Sequence, residues 1–284
     1  MTVHTPAPTL DLLRDDRGNF SMLAIDQRES LRQMIATAAG LDTVPDAELV
    51  AFKKAVISTL SPFASAALID HDYGYEAAKL SECPIILAAD ILSQRKPGGP
   101  VNRAVIDPAV NEDVIGRFGA NALKMLVPWQ PDERDEAIEL SASFMELCRA
   151  TNTLGVVEGV VRPEGFASWS DADKNDALVE AARDLGTTKP DLYKAEVPLF
   201  GAGERDVIVS TARRITEAID CPWVVLSSGV PPERFPEAVA LSREGGASGF
   251  LAGRAIWIDA IPAPDTQAFL ETTSAERLRS LAAA

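Results

Sequence analysis

The sequence has few of the side chains from which proteins build metal centres or disulfide frameworks. It contains two histidines, His4 and His71, which are too few for a histidine-built metal site. Its three cysteines, Cys83, Cys148 and Cys221, lie far apart and have no C-x-x-C spacing. We therefore expect neither a disulfide scaffold nor a zinc site, and we predict a reducing, cytoplasmic location.

Positive charge is also scarce, and so are long apolar runs. The 27 lysines and arginines are outnumbered by 42 aspartates and glutamates, which gives a net charge of −15. Nucleic acids and anionic membranes both favour basic surfaces, so neither is an expected partner. No apolar run approaches the roughly 20 residues that span a bilayer, and residues 1–18 lack the apolar stretch of a secretory signal. A small anionic substrate is still compatible with this charge if a few cations converge at one site.

Apolar strand candidates alternate with helical patterns along almost the whole chain, and no change of composition marks a domain boundary. Buried strands that alternate with helices require a parallel sheet with right-handed crossovers. Eight such units in fewer than 300 residues predict the α/β class and a (β/α)8 TIM barrel, with residues 1–284 forming a single domain. The strand candidates are residues 20–26, 66–70, 84–90, 122–127, 154–160, 190–198, 222–227 and 248–253.

Two further passages refine this prediction. A doubly wound open sheet, the alternative, should have a glycine-rich turn after the first strand, but Asp26 is followed by Gln-Arg-Glu. Residues 93–103 form the longest irregular passage, since their glycines and prolines argue against regular structure.

Four charged residues interrupt the apolar strands near their carboxyl ends, where barrel enzymes assemble their active sites. They are Asp26 on the first strand, Lys124 on the fourth, Glu158 on the fifth and Lys194 on the sixth. Because side chains alternate along a strand, counting by two allows all four to point into the mouth of the barrel. The sequence therefore predicts a cluster of two lysines and two carboxylates.

Lys194 is the residue on which our interpretation of this cluster depends. It shares a strand face with Leu192 and Glu196. Burial disfavours an ammonium ion, so we expect a free amine that can attack a carbonyl, with Lys124 helping to keep it deprotonated and Glu158 moving protons. The competing interpretation is a structural network of buried ion pairs, in which the same groups satisfy one another.

Two short segments at the ends of the last two strands predict an anion site. The seventh strand ends in Ser227, Ser228 and Gly229, and the eighth ends in Gly253 and Arg254. A lone Ser-Ser-Gly is more often a capped turn. Paired with a glycine that admits close backbone approach and an arginine that donates several hydrogen bonds, it favours phosphate binding.

Other polar residues allow both a functional and a plain structural interpretation. Asp70 and Asp90 end strands and are at least as compatible with capping as with catalysis. His71 fits a loop as well as a ligand site. Basic residues that could bind a second anionic end of a substrate, or could simply be solvated, are Arg28, Arg95, Lys96 and Arg103.

Six motifs, in order along the chain, resemble the class I aldolases of the tagatose-1,6-bisphosphate aldolase family, and most closely its sulfofructosephosphate aldolase branch. The resemblance extends from about residue 10 to residue 270. The motifs are AIDQR (residues 24–28), LKML (123–126), VEGVVRP (157–163), DLYKAEVPLFG (191–201), LSSGV (226–230) and GFLAGRA (249–255).

This resemblance implies a lyase that reversibly cleaves 6-deoxy-6-sulfofructose 1-phosphate to dihydroxyacetone phosphate and sulfolactaldehyde, in the sulfoglycolysis of sulfoquinovose. It also implies a homo-oligomer, a dimer or tetramer, and no cofactor. By resemblance, Lys194 is the Schiff-base lysine, Glu158 the proton shuttle, and Asp26 and Lys124 supporting residues. The implied phosphate ligands are Ser228, Gly229, Gly253 and Arg254.

The substrate's far end stays open, because the sequence departs from the sulfo branch at two places. Gly159 stands where that branch has proline, and a His-Asp-Tyr-Gly passage follows Asp70. The far end could carry sulfonate or phosphate, with Gln27, Arg28 and Arg254 as its candidate ligands, the last from this chain or from a neighbouring subunit. A tagatose- or fructose-1,6-bisphosphate aldolase with the same mechanism is the second hypothesis, and a catalytically silent barrel that binds sugar phosphates is the third.

Overall fold

Eight parallel strands close into a barrel in the computed structural model, which describes residues 8–95 and 101–283. Each of the eight strand candidates contributes one barrel strand, so the predicted (β/α)8 fold is confirmed. In order around the barrel, the strands are β1 (Phe20–Ile25), β2 (Ala67–Ile69), β3 (Ile85–Ala88), β6 (Ala120–Trp129), β7 (Leu154–Val161), β8 (Leu192–Ala195), β9 (Trp223–Val225) and β10 (Gly249–Ala252).

Helices follow the strands in the alternation that the sequence predicts. The last helical stretch of the chain is divided, because a π-helical turn at Leu270–Ser274 separates its two halves. The helices are α1 (Glu29–Ala39), α2 (Asp46–Leu60), α3 (Tyr75–Ala78), α4 (Glu112–Phe118), α5 (Arg134–Ala150), α6 (Asp171–Gly186), α7 (Arg205–Ala218), α8 (Phe235–Glu244), α9 (Arg254–Trp257), α10 (Thr266–Phe269) and α11 (Ala275–Ala283).

Alternate residues of each strand pack into two separate apolar layers. In β8, Leu192 belongs to the cluster inside the barrel, whereas Tyr193 and Ala195 belong to the layer between strands and helices. The inner cluster draws successive inward positions from several strands, including Met22 and Ala24 of β1. The charged residues take the next inward positions toward the carboxyl ends. The barrel therefore has an apolar floor and a charged mouth.

A short antiparallel hairpin, absent from our prediction, lies between β3 and α4. It consists of β4 (Asp90–Ser93) and β5 (Arg103–Ile106), with Ser93 opposite Arg103. The prediction of an irregular passage over residues 93–103 was therefore wrong at both of its ends. Exposed and half-buried side chains alternate along β5, which is the pattern of a strand with one face toward solvent. Lys96, a candidate for anion binding, lies outside the described residues.

Candidate active site

Lys124 lies at the centre of the charged mouth and is almost fully buried. Its Nζ is 3.2 Å from Asp26 Oδ2, 3.1 Å from Asp90 Oδ2 and 2.8 Å from Glu158 Oε2. Asp26 follows β1, Asp90 begins β4, and Glu158 lies within β7. The structure therefore brings three of the four predicted charged residues together, and it adds Asp90.

Lys194 joins this cluster through Glu158. Its Nζ is 3.1 Å from Glu158 Oε2, and the two residues are paired across the β7–β8 ladder. Among the described carboxylates, Glu158 is the only one within 4 Å of Lys194, whereas Lys124 has three. Glu158 thus lies between two ammonium groups.

The side chains of the cluster differ in their access to solvent. Asp26, Glu158 and Lys194 keep 12%, 9% and 6% of their side-chain surface exposed, while Lys124 keeps 2% and Asp90 none. The first three therefore lie toward the opening of the barrel, and Lys124 and Asp90 lie beneath them. A molecule that enters the mouth reaches Lys194 before it reaches Lys124.

The charges of the cluster stabilise one another against the cost of burial. Burial alone raises the pKa of Asp26 and Glu158, but the nearby ammonium groups, Lys124 first, outweigh it, so both carboxyl pKa values are lowered. Burial alone lowers the pKa of Lys124, but Asp90, Glu158 and Asp26 outweigh it and raise that pKa well above its ordinary value. The charged form of Lys124 is therefore favoured, and these contacts are the ones that the competing interpretation, a network of buried ion pairs, describes.

Asp90 also holds Arg28, which we predicted to bind substrate. Arg28 donates from Nη2 to Asp90 Oδ1 at 2.7 Å and from Nη1 to the Asp90 carbonyl at 2.6 Å. The neighbouring Gln27 has a buried Oε1 with no hydrogen-bond donor among the described residues. An unpaired buried amide oxygen at the mouth is suited to a hydroxyl donor from a ligand.

The residues predicted to bind an anion lie in the neighbouring segments after β9 and β10. Arg254 Nη2 donates to Ser228 Oγ at 2.5 Å, and Gly253 N–H donates to Ser227 Oγ at 3.4 Å. Gly229 has φ +80°, and an added Cβ would lie 2.7 Å from the ring of Phe200, a residue of the turn after β8. The turn after β9 therefore requires glycine at position 229.

Arg254 has the environment of a residue that binds an anion. It is half-buried, and burial lowers its pKa, with only distant opposition from Glu158 and Asp26. Throughout residues 8–95 and 101–283, no carboxylate lies close enough to form a salt bridge with it. A desolvated guanidinium without an anionic partner is favourable only if a ligand supplies the charge.

A comparison with protein families matches residues 20–259 to the model of the DeoC/LacD family aldolases. The chain belongs to the DeoC/LacD aldolase family. The predicted class I aldolase, a lyase, is therefore confirmed at the level of the family.

Curated relatives of this aldolase are tagatose 1,6-diphosphate aldolases. That of Listeria innocua is 32% identical over an alignment that covers 96% of this chain and 89% of the relative. The tagatose 1,6-diphosphate aldolase 2 of Enterococcus faecalis is 30% identical, with coverages of 96% and 91%. The predicted resemblance to the tagatose-1,6-bisphosphate aldolase family is thus supported, while the sulfo branch is not distinguished.

Solved structures with the same fold include other aldolases. An archaeal fructose-1,6-bisphosphate aldolase, with its catalytic lysine bound to a carbinolamine intermediate, superposes with a TM-score of 0.64 at 17% identity. The alignment covers 95% of this chain and 98% of that one. The fructose-bisphosphate aldolase of Slackia heliotrinireducens has a TM-score of 0.65 at 14% identity, with coverages of 95% and 84%. At these identities the likeness supports the fold.

Lys53 is a buried charge of the aldolase that our sequence analysis did not find. Its Nζ forms a salt bridge with Asp70, and it donates to the carbonyls of Ile25 at 2.6 Å and Gln27 at 2.7 Å. Both lysine and carboxylate are fully buried. Lys53 thus fixes the backbone on either side of Asp26. The predicted capping role of Asp70 is also present, since its Oδ2 accepts from Tyr73 N–H.

Glu196 and Arg162 form a second buried pair at the end of β7. Glu196 accepts from Arg162 Nη1 at 2.7 Å and from Val161 N–H at 2.8 Å. Burial raises the pKa of Glu196, and Arg162 offsets only part of this effect. Although the strand pattern places Glu196 on the face of Lys194, its carboxylate binds the neighbouring segment instead.

The remaining described basic residues and the histidine that were candidates for ligand binding lie outside the Lys124 cluster. Arg95 pairs with Glu133, and His71 Nε2 lies 2.7 Å from Asp107 Oδ2. Arg103 is exposed at the start of β5. None of them joins the Lys124 cluster in the part of the chain that the structure describes.

No three His, Cys, Asp or Glu side chains in residues 8–95 and 101–283 are arranged so as to hold a metal ion. Over the same ranges, no helix combines the length and the apolar character needed to cross a membrane.

Proposed function

We propose that this aldolase cleaves 6-deoxy-6-sulfofructose 1-phosphate to dihydroxyacetone phosphate and sulfolactaldehyde through a Schiff base on Lys194. The observation that carries the proposal is the 3.1 Å contact between Lys194 Nζ and Glu158 Oε2 at a shielded barrel mouth. An amine nucleophile needs a nearby group that accepts its proton and later returns it. Glu158 has the chemistry and the position for this role.

The reaction begins with transfer of a proton from Lys194 to Glu158. The free amine then attacks the C2 ketone, and the protonated Glu158 donates to the departing hydroxyl as the carbinolamine loses water. The resulting protonated imine draws the electrons of the C3–C4 bond. Glu158, again a carboxylate, accepts the C4 hydroxyl proton as the aldehyde leaves. Protonation at C3 and hydrolysis of the imine release dihydroxyacetone phosphate and regenerate the amine.

Lys124 and Asp26 support this chemistry without forming the covalent bond. Three carboxylates keep Lys124 charged, so its nitrogen has no free electron pair for attack. Its positive charge instead stabilises Glu158 as a carboxylate and the oxyanion that develops on the substrate. Asp26, 3.2 Å from Lys124 Nζ, helps to keep this cation in place.

The C1 phosphate is assigned to Arg254, Ser228 and the backbone of Gly229 and Gly253. Arg254 brings a half-buried guanidinium without a carboxylate partner among the described residues, and Ser228 orients it. An added Cβ at Gly253 would lie 2.3 Å from the Ala24 carbonyl, so only glycine fits there. Phosphate sites at the ends of the seventh and eighth strands are common in this fold.

Borohydride trapping tests the covalent step. With dihydroxyacetone phosphate, reduction of the imine should add one substrate to the intact mass, and peptide mapping should place it on Lys194. Lys194→Met should remove the adduct, whereas Lys54→Met, on an exposed position of α2, should keep it. An adduct on Lys124, or none on the wild-type chain, would contradict the Schiff-base assignment. Without an adduct, unchanged ligand affinity of Lys194→Met would favour the silent binding barrel.

Tagatose 1,6-bisphosphate is the second candidate substrate, because the curated relatives in two genera carry that name at 30–32% identity. Sulfonate and phosphate differ in charge more than in shape, so one pocket can be tested with both. Steady-state kcat/KM for the two substrates decides between them, and a preference for the bisphosphate would reject the sulfosugar. The dimer or tetramer expected from the resemblance stays a prediction that light scattering can test.

A further inference from the structure

Asp90 is more extensively bound than any capping role requires. It is completely buried, its Oδ1 accepts from Arg28, and its Oδ2 accepts from Lys124 Nζ at 3.1 Å and from Leu126 N–H at 2.9 Å. Its carbonyl accepts a second bond from Arg28. A carboxylate held by this many donors has one orientation, so its charge has a fixed place beside Lys124.

These contacts extend into an unbroken series of alternating charges. Arg28 binds Asp90 at 2.7 Å, Asp90 binds Lys124 at 3.1 Å, Lys124 binds Glu158 at 2.8 Å, and Glu158 binds Lys194 at 3.1 Å. Each of the three inner ions, Asp90, Lys124 and Glu158, is therefore shared between neighbours on both sides. A change of charge at one end alters how strongly the next ion is held, since the interior screens these charges weakly.

The net charge of this series determines where the proton of Lys194 can go. With Asp26 included, the series contains three cations and three carboxylates, and it is neutral when Lys194 is protonated. When the proposed reaction requires a neutral Lys194, the proton has to be carried by a neighbouring carboxylate. Glu158 can take it only to the extent that Lys124 releases its hold on that carboxylate, and the other partners of Lys124 are Asp26 and Asp90.

We propose that Asp90 is a positioning residue of the active site, which shares the charge of Lys124 with Glu158 and so sets the pH at which Lys194 can form an imine. The inference rests on the proposed Schiff-base function. Asp90 does not touch the substrate, because Lys124 and Arg28 enclose its carboxylate. It acts through Lys124.

The test is the pH profile of imine trapping by cyanoborohydride, measured with saturating dihydroxyacetone phosphate. The charged groups around the reacting pair are Asp26 after β1, Lys124 on β6, Arg254 after β10, and Glu196 after β8 with its partner Arg162, while Arg28 and Asp90 lie beyond them. Asp90→Asn removes one negative charge and leaves these neighbours in place, so the ammonium groups become more acidic. The acid limb of the profile should move toward lower pH by about one unit.

Arg28→Gln provides the opposite perturbation, and it decides the question if Asp90→Asn does not fold. Removing the positive charge beside Asp90 strengthens the pull of Asp90 on the remaining ammonium groups, so the acid limb should move toward higher pH. Dihydroxyacetone phosphate lacks the far end of the substrate, so the predicted binding role of Arg28 does not interfere. Asp191→Asn, at the amino end of β8, is the matched control and should leave the limb in place.

Opposite shifts in Asp90→Asn and Arg28→Gln would support the proposal. Lower amounts of adduct with an unmoved acid limb would mean that Asp90 has only a structural role, and would overturn it. If the wild-type chain forms no adduct at any pH, the Schiff-base function itself fails, which is a separate result.

Discussion

Gly159 should tolerate no side chain, because the phenol of Tyr193 occupies the space. The two residues lie on the outer face of neighbouring strands, and Tyr193 is buried. A Cβ added at Gly159 would lie 2.1 Å from Tyr193 Oη, 2.9 Å from its Cζ and 3.0 Å from Leu185 Cδ1. Ordinary contacts are longer than the first of these by more than about 1 Å. This contact gives a physical reason for glycine at a position where the sulfo branch has proline.

The cost of Gly159→Ala follows from this overlap. Overpacking a buried site typically costs about 1–3 kcal/mol, and here the strand or the ring has to move. Gly116→Ala is the matched control, since it lies in α4 with no atom within 4 Å of the new Cβ. Alanine at an unobstructed helix position should instead stabilise by about 0.5–1 kcal/mol. The two variants should therefore differ by about 2 kcal/mol or more in unfolding free energy.

Urea unfolding of both variants, and of Gly159→Ala in a Tyr193→Phe background, tests this reasoning. Removing Oη takes away the shortest contact, so the second substitution should restore part of the stability lost in the first. Imine formation should change together with stability, because Glu158 precedes Gly159 and pairs with Lys194. Imine trapping should be slower in Gly159→Ala and recover in the double variant. Equal unfolding free energies for Gly159→Ala and Gly116→Ala would refute the packing argument.

Three further predictions concern other parts of the site. Lys53→Met should lower the unfolding free energy by about 3–5 kcal/mol because it leaves Asp70 buried without its cation. Lys54→Met, the control, should change the urea midpoint little. Similar midpoints for the two variants would contradict this prediction. Gly229→Ala should weaken binding of dihydroxyacetone phosphate in calorimetry, since φ +80° and the Phe200 ring both oppose a Cβ; unchanged affinity would argue against this turn as a ligand site. Asp26 and Glu158 have lowered pKa values in the folded chain, so their stabilisation is present above the unfolded values of about 4 and is lost as the pH falls below them. Asp26→Asn should therefore show a shallower loss of stability as the pH falls from about 4 to about 2, and an unchanged slope would count against the pairing.

The barrel and the main charged residues could be predicted from sequence because both depend on local periodicity. Apolar strands separated by helices leave few topologies, and counting by two placed Lys124, Glu158 and Lys194 on the inner face. The hairpin β4–β5 was missed since its strands are short and flank a segment rich in glycine and proline.

Two buried residues, Lys53 and Asp90, show where local sequence patterns stop being informative. Lys53 lies next to Lys54 on a helix, and two adjacent lysines usually indicate a solvent-exposed surface. Lys53 is buried only because α2 approaches the end of β1. Aspartate ends three successive strand candidates, at Asp26, Asp70 and Asp90. That pattern is as compatible with capping as with catalysis, so it did not separate Asp90, which joins the Lys124 cluster, from Asp70, which pairs with Lys53.

The ion-pair interpretation and the catalytic interpretation of this cluster are compatible, since they concern different lysines. Lys124 has three carboxylate partners and is almost fully enclosed, which is the arrangement of a structural cation. Lys194 has one such partner among the described residues and lies closer to the opening. A lysine can act as a nucleophile only if its proton has somewhere to go, so a single carboxylate contact favours the chemistry. A second carboxylate within reach of Lys194 would hold the proton and suppress the attack, which is why the uneven sharing of partners matters more than the number of charges.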